Sequence, residues 1–213
     1  MKKLLLAASA VALMAGTWLA PAQAEYLQEH RGGTMRLLAR SAAGTLDPHI
    51  NYTSQGWQMY QPIYDGLVTF RKAEGMDGFT VVADLAEAMP EVSEDGKTFT
   101  FKLRKGIKFS NGQEVGVKDV VSSFQRIFKV SGPTSGTFYA GIVGADKCLA
   151  DTKSCTLEGG VVGDEAAGTI TINLTKPDAE FLYKIALPHA AILPADTPAE
   201  DMGSVPIPST GPY

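Results

Sequence analysis

The sequence predicts a mixed fold of helices and antiparallel strands, of the α/β or α+β class. Three patterns indicate it: a hairpin signal at Asp95-Gly96, helical spacing of apolar residues from Val117 to Phe128, and strand-like alternation from Ile170 to Leu174. Hairpins beside helices share an apolar layer, and 213 residues are enough to build one.

An export signal is predicted over residues 1–24. Two lysines precede an apolar run that extends to about Leu19, and Ala22-Gln23-Ala24 supplies small residues at the positions that a signal peptidase inspects. A membrane anchor is the competing interpretation, but the run is shorter than the roughly 20 apolar residues that cross a bilayer. No cysteine near the cleavage position could carry a lipid. We therefore expect a soluble, periplasmic mature protein.

The charge of the mature chain disfavours nucleic acid as a partner. Loss of the two signal lysines leaves 17 basic residues against 23 acidic ones, a net charge of −6. Such a surface repels nucleic acid and anionic lipid.

The first elements of the mature chain are a strand and a helix. Thr34–Leu38 is a predicted strand, and the Asp47-Pro48 turn ends the extended stretch because proline lacks a backbone N–H group. Apolar residues then recur at helical spacing from Gln55 to Leu67. Pro62 lies inside that pattern, so we expect a break there.

The middle of the chain gives the clearest predictions. Phe99, Phe101 and Leu103 alternate with polar residues after the Asp95-Gly96 turn, which indicates a strand with one buried face. A second tight turn at Asn111-Gly112 precedes the 117–128 helix, which we expect to pack on the hairpin face. Further on, a short helix over Phe181–Ile185 should end at Pro188, and proline recurs from there to Tyr213.

Cys148 and Cys155 lie in a polar stretch that is typical of a loop. In an oxidising compartment they are expected to pair. A zinc site is the alternative, but zinc usually needs four ligands, and His30, His49 and His189 are scattered along the chain. The disulfide is the preferred prediction.

No catalytic motif occurs in the sequence: a nucleophile elbow, a phosphate-binding loop, a dinucleotide fingerprint and a His-Glu-x-x-His pair are all missing. Glu91, Glu94 and Asp95 are expected to be solvated turn residues, and the histidines to be surface or packing residues. The sequence therefore predicts neither an enzyme nor a bound cofactor or metal.

Several segments in a fixed order resemble the family 5 extracellular solute-binding proteins, which include dipeptide-, oligopeptide- and nickel-binding components of ABC importers. The central match is the order of elements from Leu85 to Phe128. The flanking matches are Gly32-Gly33-Thr34, Leu46-Asp47-Pro48, Tyr64-Asp65-Gly66-Leu67 and Ser209-Thr210-Gly211-Pro212-Tyr213. The order of these segments is more specific than any one of them. Gly116 departs from the Thr or Ser that is usual before the helix, and glycine is a weaker N-cap. Ser209 replaces a usual glycine.

The resemblance implies a periplasmic binding protein-like fold with two lobes that close on a ligand. Only the N-terminal lobe and its subdomain are expected in these 213 residues. Residues 25–50 would begin lobe I, residues 51–188 would form a hairpin-and-helix subdomain attached to it, and residues 189–213 would return to lobe I and be truncated.

The function implied by the resemblance is capture of peptides or a similar small solute for an ABC importer. The partners would be the permease and ATPase subunits, with membrane contact only through that complex, and the binding protein itself would be a monomer. Candidate ligand-binding residues are Tyr52, Thr53, Ser54, Gln55, Trp57, Thr210, Gly211 and Tyr213. An aromatic ring beside polar groups suits a peptide. The alternative for Trp57 and Tyr60 is that they belong to the buried apolar stripe of their helix. This alternative is favoured more for Tyr60 than for Trp57. An exported enzyme and a truncated, nonfunctional remnant are the competing functions.

Overall fold

The computed structural model describes residues 44–212. The predicted export signal, the strand at Thr34–Leu38, His30 and Tyr213 lie outside the described residues.

Four α-helices and six β-strands form the described fold, which confirms the mixed class. The helices are α1 (Ser54–Tyr60), α2 (Val117–Lys129), α3 (Ala145–Ala150) and α4 (Phe181–Ile185), with 3-10 helices at Gly75–Phe79 and Pro188–Ala190. The strands are β1 (Val68–Phe70), β2 (Val81–Ala83), β3 (Glu91–Val92), β4 (Thr98–Lys102), β5 (Val161–Asp164) and β6 (Thr169–Asn173).

A four-stranded antiparallel sheet in the order β3-β4-β6-β5 forms the centre of the structure. The hairpin predicted at Asp95-Gly96 joins β3 to β4, and Gly96 has a positive φ of 68°, which suits glycine. In the central pair Phe99 faces Ile172 and Phe101 faces Ile170. All four side chains are buried, so the alternation in the sequence identified the core face correctly. β1 and β2 form a separate two-stranded sheet.

Helix α2 packs on this sheet, mainly against β5 and β6. Its apolar face, with Val120, Phe124 and Ile127, is buried in the same core as the strands. The helix approaches Gly163 of β5 so closely that an added Cβ would lie 2.4 Å from Val117 Cγ1. At the N-terminal end, the weak Gly116 cap is supplemented by Asp119, whose Oδ2 accepts the Gly116 N–H at 2.7 Å.

The predicted helix from Gln55 to Leu67 is shorter in the structure. It ends at Tyr60, before Pro62, and the chain continues as a turn. Tyr60 is fully buried in a second apolar cluster, together with Tyr64, Ala191, Leu193 and Ile207. The buried-stripe interpretation therefore holds for Tyr60, whereas Trp57 remains partly exposed.

The loop predicted around the two cysteines is wrong at Cys148, which lies in α3. The sequence Ala145–Ala150 closes one helical turn and a half because Ala145 and Cys148 point into the core, and this burial outweighs the polar composition of the stretch. Cys155 follows directly after a turn at residues 153–154. The two sulfur atoms are 2.06 Å apart, a disulfide distance.

Residues 191–212 form no helix or strand and pack against earlier elements. The Ile192 N–H bonds to the Asp65 carbonyl at 2.9 Å, and the Ser209 carbonyl accepts the Ser110 N–H at 2.7 Å. Between residues 44 and 212 no helix has the length and apolar character needed to cross a bilayer.

Candidate ligand-binding face

The start of α1 is fixed by a chain of short polar contacts. Thr53 is the N-cap, and its hydroxyl accepts the Gly56 N–H at 3.1 Å while donating to Asn51 Oδ1 at 2.8 Å. Asn51 in turn donates to the Thr45 carbonyl at 2.8 Å. An added Cβ at Gly56 would approach the Asn51 side chain to 2.9 Å, so a larger residue here would displace Asn51. These contacts determine where the side chains of Tyr52 and Trp57 lie.

Four rings meet beside this helix start: Tyr52, Trp57, Phe138 and His189, which we call the aromatic face. Tyr52 lies 5.8 Å from Phe138 in an edge-on arrangement and 5.0 Å from His189, measured between ring centroids. Trp57 lies edge-on to the same imidazole at 6.4 Å. Tyr52 is still 54% exposed, although it is held by two rings. An exposed aromatic side chain on a packed base is suited to contact with a ligand.

A buried charged group lies in the turn that precedes the aromatic face. Arg126 of α2 binds the Asp47 carboxylate through both terminal nitrogens, at 2.9 and 2.5 Å, and Asp47 is fully buried. The guanidinium also donates to the carbonyls of Pro198 at 2.7 Å and Glu200 at 2.8 Å. Arg126 therefore joins α2 and the Asp47 turn to the segment from residue 189 onward, which we call the return segment, through its available donors.

The charges in this group shift one another's pKa values. Burial alone would raise the pKa of Asp47, but the hydrogen bonds and charge of Arg126 outweigh burial and lower it. Burial and the nearby charge of Arg126 lower the pKa of His49 to about 4. At neutral pH the group thus contains one anion, one cation and a neutral imidazole.

Two buried histidines tie the Asp47 turn to the return segment. His49 Nε2 lies 2.9 Å from the Ala191 carbonyl, and His189 Nδ1 lies 3.0 Å from the Pro48 carbonyl. The histidines were expected to be surface or packing residues, and both described ones are packing residues, exposed by 1% and 2%.

Helix α2 holds the return segment through a second set of polar contacts. Asp119 Oδ1 accepts the Ala195 N–H at 2.7 Å, and the Ser123 hydroxyl accepts the Leu193 N–H at 2.9 Å. Asp119, Ser123 and Arg126 are spaced i, i+4, i+7 and so lie on one helix face. This spacing is visible in the sequence and is the signal from which a polar helix face could have been predicted.

The predicted ligand-binding residues separate into two groups in the structure. Tyr52, Thr53, Ser54, Gln55 and Trp57 surround the N-terminal end of α1, with Ser54 exposed and Gln55 partly buried. Gly211 lies beyond the other end, where its N–H bonds to the Ile63 carbonyl at 2.9 Å. Thr210 Oγ1 is shielded from solvent without a hydrogen-bond partner among residues 44–212. No ring contact or hydrogen bond within that range links Thr210 or Gly211 to the aromatic face.

Two further clefts lie away from the aromatic face. One, of about 460 Å³, is lined by Gln61 and Pro62 after α1 and by the segment from Thr69 to Ala73. The other, of about 470 Å³, lies between the 75–79 helix and α4, where Met76 and Phe79 are exposed. Across the described range, no group of three or more His, Cys, Asp and Glu side chains is arranged to hold a metal ion.

Comparison with known proteins identifies relatives that are named as binding proteins. The family profile described as "Bacterial extracellular solute-binding proteins, family 5 Middle" matches residues 80–213. The "Dipeptide-binding protein" of Escherichia coli strain K12 is 37% identical over 145 residues, which cover 62% of this chain and 24% of that protein. "Di/tripeptide-binding protein 2" of Pseudomonas aeruginosa strain UCBPP-PA14 is 30% identical over 198 residues, covering 84% of this chain and 35% of the relative.

A solved structure gives the same result for the fold. "Clavulanic acid biosynthesis oligopeptide binding protein 2" superposes with a TM-score of 0.71 at 29% identity, over 86% of this chain and 34% of that one. The chain thus spans between a quarter and about a third of the length of the relatives that it matches.

Proposed function

The chain belongs to the family 5 bacterial extracellular solute-binding proteins, and from this membership we propose that it is the substrate-binding component of an ABC importer. The ligand is a peptide, in the range of di- to oligopeptides, or a similar small solute. Relatives named for dipeptides and for di- and tripeptides support this class.

The observation that carries the proposal to particular residues is the exposed aromatic face on a rigid base. Tyr52 and Trp57 present ring surface to solvent, while the buried Asp47–Arg126 pair and two histidines hold the backbone around them. A preorganised aromatic surface loses little conformational entropy when it binds. Side chains of a peptide vary, so apolar ring contacts suit a binder of several related peptides.

Binding would draw on Tyr52, Thr53, Ser54, Gln55 and Trp57, with Thr210, Gly211 and Tyr213 contributing from the return segment. Thr53 already caps α1, so its ligand contact would use backbone groups more than its hydroxyl. In a two-lobed protein this face would form one wall of the cleft, and closure would follow because the ligand contacts both lobes only in the closed state.

The proposed setting is the periplasm, reached through the export signal at residues 1–24. The disulfide between Cys148 and Cys155 suits such an oxidising compartment. The partners are the permease and ATPase subunits of the importer, and the binding protein acts as a monomer and not as an enzyme.

A thermal-shift screen tests the proposal. The mature protein is heated with pools of di- and oligopeptides, with sugars and with nickel; a ligand at 100 times its dissociation constant adds about 2.7 kcal/mol of stability. A shift with peptides alone supports the proposed ligand class. A shift with nickel alone or with sugars alone contradicts the proposed ligand class. The absence of a shift in every pool contradicts it as well.

A further inference from the structure

His189 has one ring nitrogen engaged and the other open. Its Nδ1 lies 3.0 Å from the Pro48 carbonyl oxygen, which can only accept a hydrogen bond. Nδ1 must therefore carry the hydrogen. In a neutral imidazole the lone pair is then on Nε2.

Nε2 of His189 has no hydrogen-bond partner among residues 44–212. Within that range the side-chain atoms that are both shielded from solvent and unpartnered are Thr134 Oγ1 and Thr210 Oγ1. Since Nε2 is neither bonded nor in this pair, residues 44–212 leave it open, although His189 as a whole is 98% buried. The small open part of the ring therefore includes an acceptor atom.

His49 provides the contrast within the same molecule. Arg126 Nη1 donates to His49 Nδ1 at 3.2 Å, because a guanidinium has no acceptor, and Nε2 then donates to the Ala191 carbonyl at 2.9 Å. Both nitrogens of His49 are occupied inside the protein. The two histidines are thus opposite tautomers, and only His189 has an acceptor left over.

We propose that Nε2 of His189, whose ring contacts those of Tyr52 and Trp57, accepts a hydrogen bond from an N–H group of the ligand. This inference rests on the proposed function and specifies its ligand: a solute with an N–H donor, which is either a terminal ammonium or a backbone amide. The adjoining rings suit either source, since aromatic faces attract cations and also pack on planar amides. Burial lowers the pKa of His189, against the opposing hydrogen bond to Pro48, so the acceptor form is the neutral-pH form.

Nitrogen-15 NMR of the histidine side chains tests the first step on the chain alone. At pH 7 we expect His189 with hydrogen on Nδ1 and a bare Nε2, and His49 with the opposite arrangement as an internal reference. Hydrogen on Nε2 of His189, or fast averaging of both nitrogens, overturns the proposal.

Calorimetry with three probes tests the second step: dialanine, dialanine with a trimethylated N-terminus, and dialanine methylated on the amide nitrogen. Loss of the critical N–H should weaken binding to the wild-type protein about tenfold, because a buried acceptor is left unpaired. The trimethylated probe reports on the ammonium and the other on the amide.

The variant His189→Asn separates this role from folding. Its amide can still donate to Pro48 but has no atom at the Nε2 position, so it should bind dialanine and the critical methylated probe equally. Tyr183→Leu, at an exposed ring on α4, is the control and should discriminate like wild type. Unchanged discrimination in His189→Asn overturns the inference while leaving peptide binding intact. If the wild type does not bind dialanine, both this ligand assignment and the inference are wrong. The proposed function is then decided separately, by the peptide pools of the thermal-shift screen.

Discussion

Arg126 and Asp47 are 79 residues apart in the chain, yet the guanidinium bonds to both oxygens of the carboxylate, and both side chains are buried. The pair connects helix α2 to the turn that precedes Tyr52 of the aromatic face. Because each charge is desolvated, each depends on the other.

Arg126→Met should therefore destabilise the protein by about 3–5 kcal/mol, since it leaves a buried carboxylate without its cation. The free energy of unfolding in urea measures this. Lys102→Met is the matched control, because the Lys102–Glu87 pair (3.0 Å) is exposed and should contribute less than about 1 kcal/mol. If Arg126→Met does not fold, the double variant with Asp47→Asn should be more stable than it. Equally small losses of unfolding free energy in Arg126→Met and Lys102→Met would contradict this expectation.

Acid should weaken the fold through His49. The pKa of this buried imidazole is about 4 in the folded protein, against 6.5 for the ordinary group. Between these values the unfolded chain binds the extra proton, so stability is full above pH 6.5 and falls as the pH drops towards 4, by about 3 kcal/mol from this group. NMR titration of the His49 ring checks the cause directly. Protonation of His49 near pH 6.5 in the folded protein would refute it.

Asp84 should affect the pH dependence of stability in the direction opposite to His49. Burial, and then the charge of Asp65, raise the pKa of Asp84 to about 6. The folded state binds more protons than the unfolded chain between pH 3.8 and 6, so this group costs stability as the pH rises through that window. Asp84→Asn should stabilise the protein by about 1–2 kcal/mol at pH 7 and have little effect at pH 4. The exposed Glu94→Gln is the control and should change neither melting temperature. A lower melting temperature of Asp84→Asn at pH 7 would show that the charge is favourable.

The Cys148–Cys155 pair should stabilise the protein by restricting a short loop. The two residues are separated by 7 positions, and closing such a loop contributes about 2–3 kcal/mol by the chain-entropy estimate. The double variant Cys148→Ala/Cys155→Ala should melt at a lower temperature, and reductant should lower the melting temperature of the wild type but not of the variant. Mass spectrometry of the exported protein should find the chain lighter by two hydrogens. Two free thiols in that sample would exclude the bond.

Local signals in the sequence predicted local structure well. The Asp95-Gly96 turn, the alternation through Phe99 and Phe101 and the end of α1 before Pro62 all depend on neighbours within a few residues. Where the sequence prediction was wrong, a tertiary contact decided: Cys148 became helical because α3 buries it against the core.

The site was predictable only in part, for a related reason. Tyr52 and Trp57 could be selected from the sequence because they are aromatic residues beside a turn. The residues that hold them could not, because they acquire their roles through distant partners: Asp47 and Arg126 are 79 positions apart, and His189 and Pro48 are 141 positions apart. The Asp119-Ser123-Arg126 spacing was the one available signal, and it indicates a polar helix face without identifying what the face binds.

Calorimetric titration with di- and tripeptides of three proteins tests the central claim most directly: the wild type, Tyr52→Ala and Tyr183→Ala. Tyr52 and Tyr183 are exposed to similar extents, 54% and 51%, but only Tyr52 belongs to the aromatic face. We expect the wild type and Tyr183→Ala to bind a peptide alike, and Tyr52→Ala to bind it at least about tenfold more weakly. Equal binding by all three proteins, or peptide binding by none, would contradict it.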